Sequence, residues 1–178
     1  VTVRKPRTAK RTVKRTAKAP AGTETTTRFS LRMREEEWKP TGELLLRRSY
    51  PSRLDMKQQA MDTVSDLLVA RGLVVDADRP WLVLCLDEAV TNAMLHGNEG
   101  DPRLEIEVAV AVDARRWHVA ISDHGEGFSM ESVPDPDDPE SLLLEHGRGI
   151  RLMRAWLSSL TYWRHGATVV MSRRRADL

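Results

Sequence analysis

Apolar positions change period several times along the chain, and each change marks an element. Leu44 to Tyr50 reads as a short strand, after which Ala60, Met61, Val64, Leu67 and Leu68 recur at helical spacing until Arg71 and Gly72. A second helix is predicted from Trp81 to His96. Asp78 supplies a cap candidate, Pro80 suits a helix's first turn, and no breaker intervenes before Gly97. Leu104 to Val112 and Arg116 to Ser122 are rich in Val and Ile with partial alternation, and the turn at Asp113 and Ala114 makes them an antiparallel hairpin. Gly125 to Glu145 is loop-like, with Pro134, Pro136 and Pro139 among acids. Ile150, Leu152, Met153, Trp156, Leu157 and Leu160 restore the helical period directly after Gly149. Ser159 to Arg164 and Ala167 to Arg173 then form a second hairpin, turning at His165 and Gly166.

Strand, two helices, hairpin, loop, helix, hairpin is an order that predicts an α+β fold. Helices on one face of a mainly antiparallel sheet bury both apolar surfaces in a two-layer sandwich. Ahead of it, residues 21 to 42 carry Thr-rich and charged stretches ending in Lys39, Pro40, Thr41 and Gly42, which read as linker. The expected division is therefore a basic, disordered tail and linker over 1–42 and one domain over 43–178.

Composition agrees with one soluble core: 178 residues, 40% hydrophobic and 30% charged. The longest apolar runs, such as Leu82 to Leu86, are too short to cross a bilayer. The basic start has no apolar stretch or cleavage site of a secretory signal, and a single cysteine, Cys85, sits among apolar neighbours as an inert buried thiol would. A cytoplasmic location is expected. The net charge of +2 hides a split, since residues 1 to 20 hold eight Lys or Arg and no acid, which leaves 20 basic against 26 acidic residues elsewhere. Such a tail attracts polyanions without sequence preference or is simply a solvated extension; its residues admit both readings.

Candidate chemistry begins on the second helix. It is apolar nearly all round, yet Glu88, Asn92 and His96 stand at steps of four and so share one stripe. The stripe faces solvent, or else protein groups or a ligand must satisfy a carboxylate and an amide on a helix that otherwise buries itself. Asp123, Gly125 and Gly127 then place a carboxylate at a strand end, followed by residues that let backbone approach a ligand. A second glycine pair, Gly147 and Gly149 around Arg148, opens a helix, where free amides and the helix dipole favour phosphate. Together the three stretches supply an acceptor for a base's amino group, amides for phosphates and an oxygen ligand for a hard cation, as a magnesium nucleotide requires.

Glu88-Ala-Val-Thr-Asn92-Ala-Met-Leu-His96-Gly97, Asp123-His-Gly125-Glu-Gly127-Phe128 and Gly147-Arg-Gly149-Ile150 resemble, in order and spacing, the N, G1 and G2 boxes of the GHKL ATPase superfamily. Over about residues 43 to 174 the chain resembles that superfamily's stand-alone anti-sigma-factor serine/threonine kinases. The resemblance implies the Bergerat ATP-binding fold with ATP and Mg2+ as cofactors. It implies that Asn92 ligates magnesium, Asp123 hydrogen-bonds the adenine amino group, Gly125 and Gly127 shape the base pocket, Gly147 and Gly149 admit phosphates, and Thr168 supports adenine recognition. Glu88 would be the general base toward a serine or threonine hydroxyl of a partner protein, with Arg148 neutralising phosphate charge. His96 closes the helix.

The implied partners are a sigma factor, sequestered, and an anti-sigma-factor antagonist, phosphorylated; a homodimer is compatible. The alternative is an ATP-binding partner-switch module with little or no kinase activity. A histidine-kinase catalytic part would need an acceptor histidine upstream, whereas the first histidine in this sequence is His96. The acidic, proline-bearing stretch from Ser129 to Glu145 is either a lid over the nucleotide or an ordinary connection.

Overall fold

A computed structural model describes residues 29–128 and 147–175. Among these residues six strands and three α-helices run in the order β1 (Ser30–Met33), β2 (Glu43–Pro51), α1 (Leu54–Ala70), α2 (Arg79–Thr91), β3 (Glu105–Val112), β4 (Arg116–Ser122), α3 (Gly147–Trp156), β5 (Ser159–Trp163) and β6 (Thr168–Arg174). The strands form one sheet in the order β1-β5-β6-β4-β3-β2. Every pairing is antiparallel except β1 on β5. The α+β two-layer sandwich is the observed architecture.

Strand alternation builds the core. Ile106, Val108 and Val110 of β3 and Trp117, Val119 and Ile121 of β4 all belong to the principal buried cluster and face the helices. From the helix side come Met61, Val64 and Leu68 of α1 and Leu82, Leu86 and Val90 of α2, at most 3% exposed. Cys85 is buried there too, and burial pushes its thiol up to about 12, so it stays protonated and inert. The sheet's other face carries a small second cluster, Ala109, Ala120 and Val170, against which Trp38 and Trp163 pack.

Trp38 marks where the structure departs from expectation. Residues read as linker contribute β1, paired in parallel from Ser30↔Ser159 to Met33↔Tyr162, and Arg34 stacks its guanidinium over the Trp163 ring at 5.0 Å. Four residues have no period to read, and their partner strand lies more than a hundred positions along the chain. Asp78 is a second correction. It occupies the N-cap position of α2 without a side-chain cap bond, and its carboxylate instead receives Arg173 Nη1 of β6 at 2.8 Å. Pro80 sits in the first turn of α2 as expected.

The second helix also changes character. After Thr91 it widens into a π-helical turn, Asn92–Gly97, closed by Asn98 N–H donating to Ala93 O at 2.9 Å, a five-residue step. Among the described residues no helix is long and apolar enough to cross a membrane.

Candidate nucleotide-binding site

The end of α2, the loop after β4 and the start of α3 meet on the helix side of the sheet, and glycines make the meeting possible. A Cβ built on Gly97 would overlap the Asp123 carboxylate, and one on Gly125 would stand 2.7 Å from Gly97 O. Only bare backbone lets the π-helical turn lie against Asp123. On the other side of the helix stripe, a Cβ on Gly149 would overlap the Glu88 carboxylate, so α3 approaches α2 at the carboxylate itself. Asn92 Nδ2 donates to Glu88 Oε1 at 3.1 Å, joining the two polar residues of the stripe. The structure thus brings Glu88, Asn92 and Gly149 together, and Asp123, Gly125 and Gly97 together, at the two ends of one short helical segment.

Asp123 is anchored by backbone. Its N–H donates to Ala167 O at 2.9 Å, and Gly125 N–H donates to its Oδ1 at 2.8 Å. Burial raises its carboxyl above the ordinary carboxylate value, opposed by the Gly125 bond and by the charges of Arg164 and His124. Thr168, 3% exposed, lies beside it in the neighbouring strand, paired with Ser122 and donating from Oγ1 to Ser122 Oγ at 2.9 Å. The turn between β5 and β6 closes this end. Gly127 has φ +83°, and a Cβ there would overlap His165 O, the same carbonyl that receives Phe128 N–H at 2.7 Å. The Phe128 ring meets Tyr162 edge-on at 4.8 Å. Tyr162 is in turn pushed up to about 12, by burial first and then by the nearby negative charge of Glu88, and it remains a neutral phenol.

α3 begins at Gly147, earlier than the start directly after Gly149 that the apolar period implied, so both glycines of the pair lie within its first turn. The side chain of Arg148 and the proposed lid from Ser129 to Glu145 lie outside the described residues. Sequence reasoning missed Gly97 as part of the site. At the end of a helix a glycine reads as a stop signal, and nothing local shows that an aspartate 26 positions later will press against it.

A carboxylate acceptor that backbone surrounds on two sides, beside a helix start made approachable by glycine, suits a nucleotide. The sequence matches the family described as "Histidine kinase-like ATPase domain" over residues 50–173. The chain belongs to that family. An ATPase-domain family makes ATP the ligand class of the fold. The match begins at the last two residues of β2, runs into β6 and leaves β1 outside it.

Curated relatives narrow the neighbourhood. The chain is 31% identical over 82 residues to "Anti-sigma F factor" of Anoxybacillus flavithermus, covering 44% of this chain and 55% of that protein. It is 26% identical over 103 residues to "Serine-protein kinase RsbW" of Oceanobacillus iheyensis (54% of this chain, 65% of the relative), and 27% identical over 99 residues to the protein of the same name from Bacillus subtilis (52% and 62%). The aligned part therefore spans between about half and two thirds of each relative's length.

The donors present fit a magnesium nucleotide better than a resident metal. Among the described residues no group of three or more His, Cys, Asp or Glu converges on a point. Mg2+ is commonly held by one or two protein oxygens together with substrate phosphates, and a lone asparagine amide on a helix is that kind of partial site.

Proposed function

We propose that this chain is an ATP-binding anti-sigma regulatory factor with serine/threonine protein kinase activity. It sequesters a sigma factor and phosphorylates an anti-sigma-factor antagonist. The names of its relatives support the regulatory class, and one arrangement in the site supports the chemistry: Glu88, hydrogen-bonded to Asn92 and pressed against Gly149 at the start of α3.

In this reading Asp123 accepts the adenine amino proton, with Thr168 and Ser122 beside it, while Gly125 and Gly127 keep the base pocket open to backbone approach. Asn92 donates to Glu88 through Nδ2, which leaves Oδ1 to face a hard cation. Gly147 and Gly149 admit phosphates at the N-terminus of α3, where amides and dipole favour them, and Arg148 adds positive charge. Bound magnesium ATP supplies the transferable phosphoryl group and neutralises its charge. Glu88 accepts the proton of the partner's serine or threonine hydroxyl as that oxygen attacks. Tyr162, held neutral, offers no competing base near Glu88.

A phosphorylation assay with the full chain, magnesium ATP and a cognate antagonist protein tests this. Glu88→Ala should keep ATP binding within about threefold and lower transfer by about 100-fold or more, the usual scale for a lost general base. Undiminished transfer by Glu88→Ala removes Glu88 from the mechanism. Absence of transfer by the wild-type protein, with ATP binding intact, leaves the partner-switch module without kinase activity as the function.

A further inference from the structure

Asn98 follows the π-helical turn and is 1% exposed, the most deeply buried polar side chain beside the site. Its amide reaches three separate pieces of chain. Nδ2 donates to Ser52 Oγ at 2.8 Å, just beyond β2, and to Glu105 O at 3.0 Å, at the start of β3. Oδ1 accepts from His124 N–H at 2.8 Å, in the loop after β4. A carbonyl can only accept and a backbone N–H can only donate, so these partners fix the amide's orientation.

The His124 bond is the one that matters for ligand. Consecutive amides of the loop each have a different partner: Asp123 N–H binds Ala167 O, His124 N–H binds Asn98, and Gly125 N–H binds the Asp123 carboxylate. Of the three, only the middle amide is held by a side chain from another segment. It sets the peptide plane directly after Asp123 and therefore the direction of that carboxylate. Gly97, next to Asn98, supplies the bare surface against which the carboxylate rests. Asn98 and Gly97 thus act as a pair, one pulling the loop onto the helix end and the other letting it come close.

We infer that Asn98 is a positioning residue for base selection: it holds Asp123 in the direction that distinguishes adenine from a purine lacking the 6-amino group. This rests on the proposed role of Asp123 and adds a residue that touches no ligand itself. A merely structural asparagine would, on removal, weaken every nucleotide equally or only lower the melting temperature. A positioning asparagine changes the ratio of affinities.

The test is calorimetric binding of magnesium ATP and magnesium inosine triphosphate to the full chain, well below its melting temperature, for the wild type, Asn98→Ala and Ser52→Ala. The wild type should prefer ATP by about tenfold or more, the scale of a hydrogen bond to a charged group. Asn98→Ala should bring the ratio to within about threefold of unity, chiefly through loss of ATP affinity. Ser52→Ala leaves the His124 bond in place while removing one anchor of the amide, and it should lower the ratio by about twofold.

An unchanged ratio in Asn98→Ala overturns the inference while leaving the Asp123 reading standing. Equal binding of the two nucleotides by the wild type overturns both. Should Asn98→Ala fail to fold, Ser52→Ala decides alone, and a wild-type ratio in it refutes the positioning role.

Discussion

Two aspartates flank β4, and their environments are opposite. Asp113 precedes the strand with a side chain 33% exposed. Its Oδ1 accepts from Arg115 N–H and Arg116 N–H, both at 2.7 Å, and its Oδ2 pairs with His118 Nε2 at 3.0 Å. Burial alone would raise its carboxyl, but the bond to His118 and the two amides bring it down to about 2. Asp123 follows the same strand with one donor, Gly125 N–H, among the described residues, and burial wins there. The first carboxylate has its acceptor capacity spent on its own turn and on His118, whose Nδ1 is within 2.8 Å of Ser172 Oγ. The second is desolvated and, among the described residues, keeps acceptor capacity, which agrees with the ligand-facing role proposed for it. The same residue type at the two ends of one strand braces a turn at one and, in the proposed reading, meets the ligand at the other.

The largest expected effect is at Asp123. Asp123→Asn should weaken ATP by about 100-fold, since an amide offers the adenine amino group a weaker acceptor and presents donors in its place. The same change should raise the melting temperature by about 2 °C, because a desolvated charge is removed. Calorimetry and thermal unfolding read both, and a loss of stability with ATP binding retained would erase the distinction between the aspartates.

Next in size is Gly97→Ala. The added methyl meets the Asp123 carboxylate, so ATP should weaken by about tenfold as the acceptor is displaced, with an overpacking cost of about 1–3 kcal/mol. Denaturant unfolding alongside ATP titration separates the two components, and unaltered affinity would mean that the carboxylate relocates freely.

Asp113→Asn is the counterpart. It should lower stability by about 1 kcal/mol through weakened turn and His118 bonds and leave ATP affinity at the wild-type value. A drop in ATP affinity here would make the two ends of β4 one coupled unit.

The smallest effect is the pH dependence, and its sign differs between the two residues. Asp113 is depressed from 3.8 to about 2. Its stabilisation relative to Asp113→Asn is complete above the unfolded value and is lost as pH falls toward 2. Asp123 is raised, so its destabilisation relative to Asp123→Asn is complete above its folded value and disappears as pH falls to the unfolded value. ATP affinity should decline over that same acid range as Asp123 takes up a proton. Melting temperatures of the two variants and the wild type across pH give the curves; parallel curves would contradict the opposed environments.

Much of this was legible in the residue string. The helices and both hairpins follow from apolar spacing, because burial of one face imposes a period on any element long enough to show it. The three glycine-bearing stretches carry their chemistry in local order, so the family and its candidate residues are readable without coordinates. Tertiary structure alone decided the rest. β1 is four residues whose strand character comes from pairing with β5, and Asp78 exchanges a cap for Arg173 because β6 lies beside it. The widening of α2 into a π-helical turn, the overlap that forbids a side chain at Gly97, and the grip of Asn98 on His124 all depend on segments brought together by folding. Propensity and period are properties of neighbouring residues. Which backbone a carboxylate rests against, and how many donors remain for a ligand, depends on packing between residues far apart in the chain.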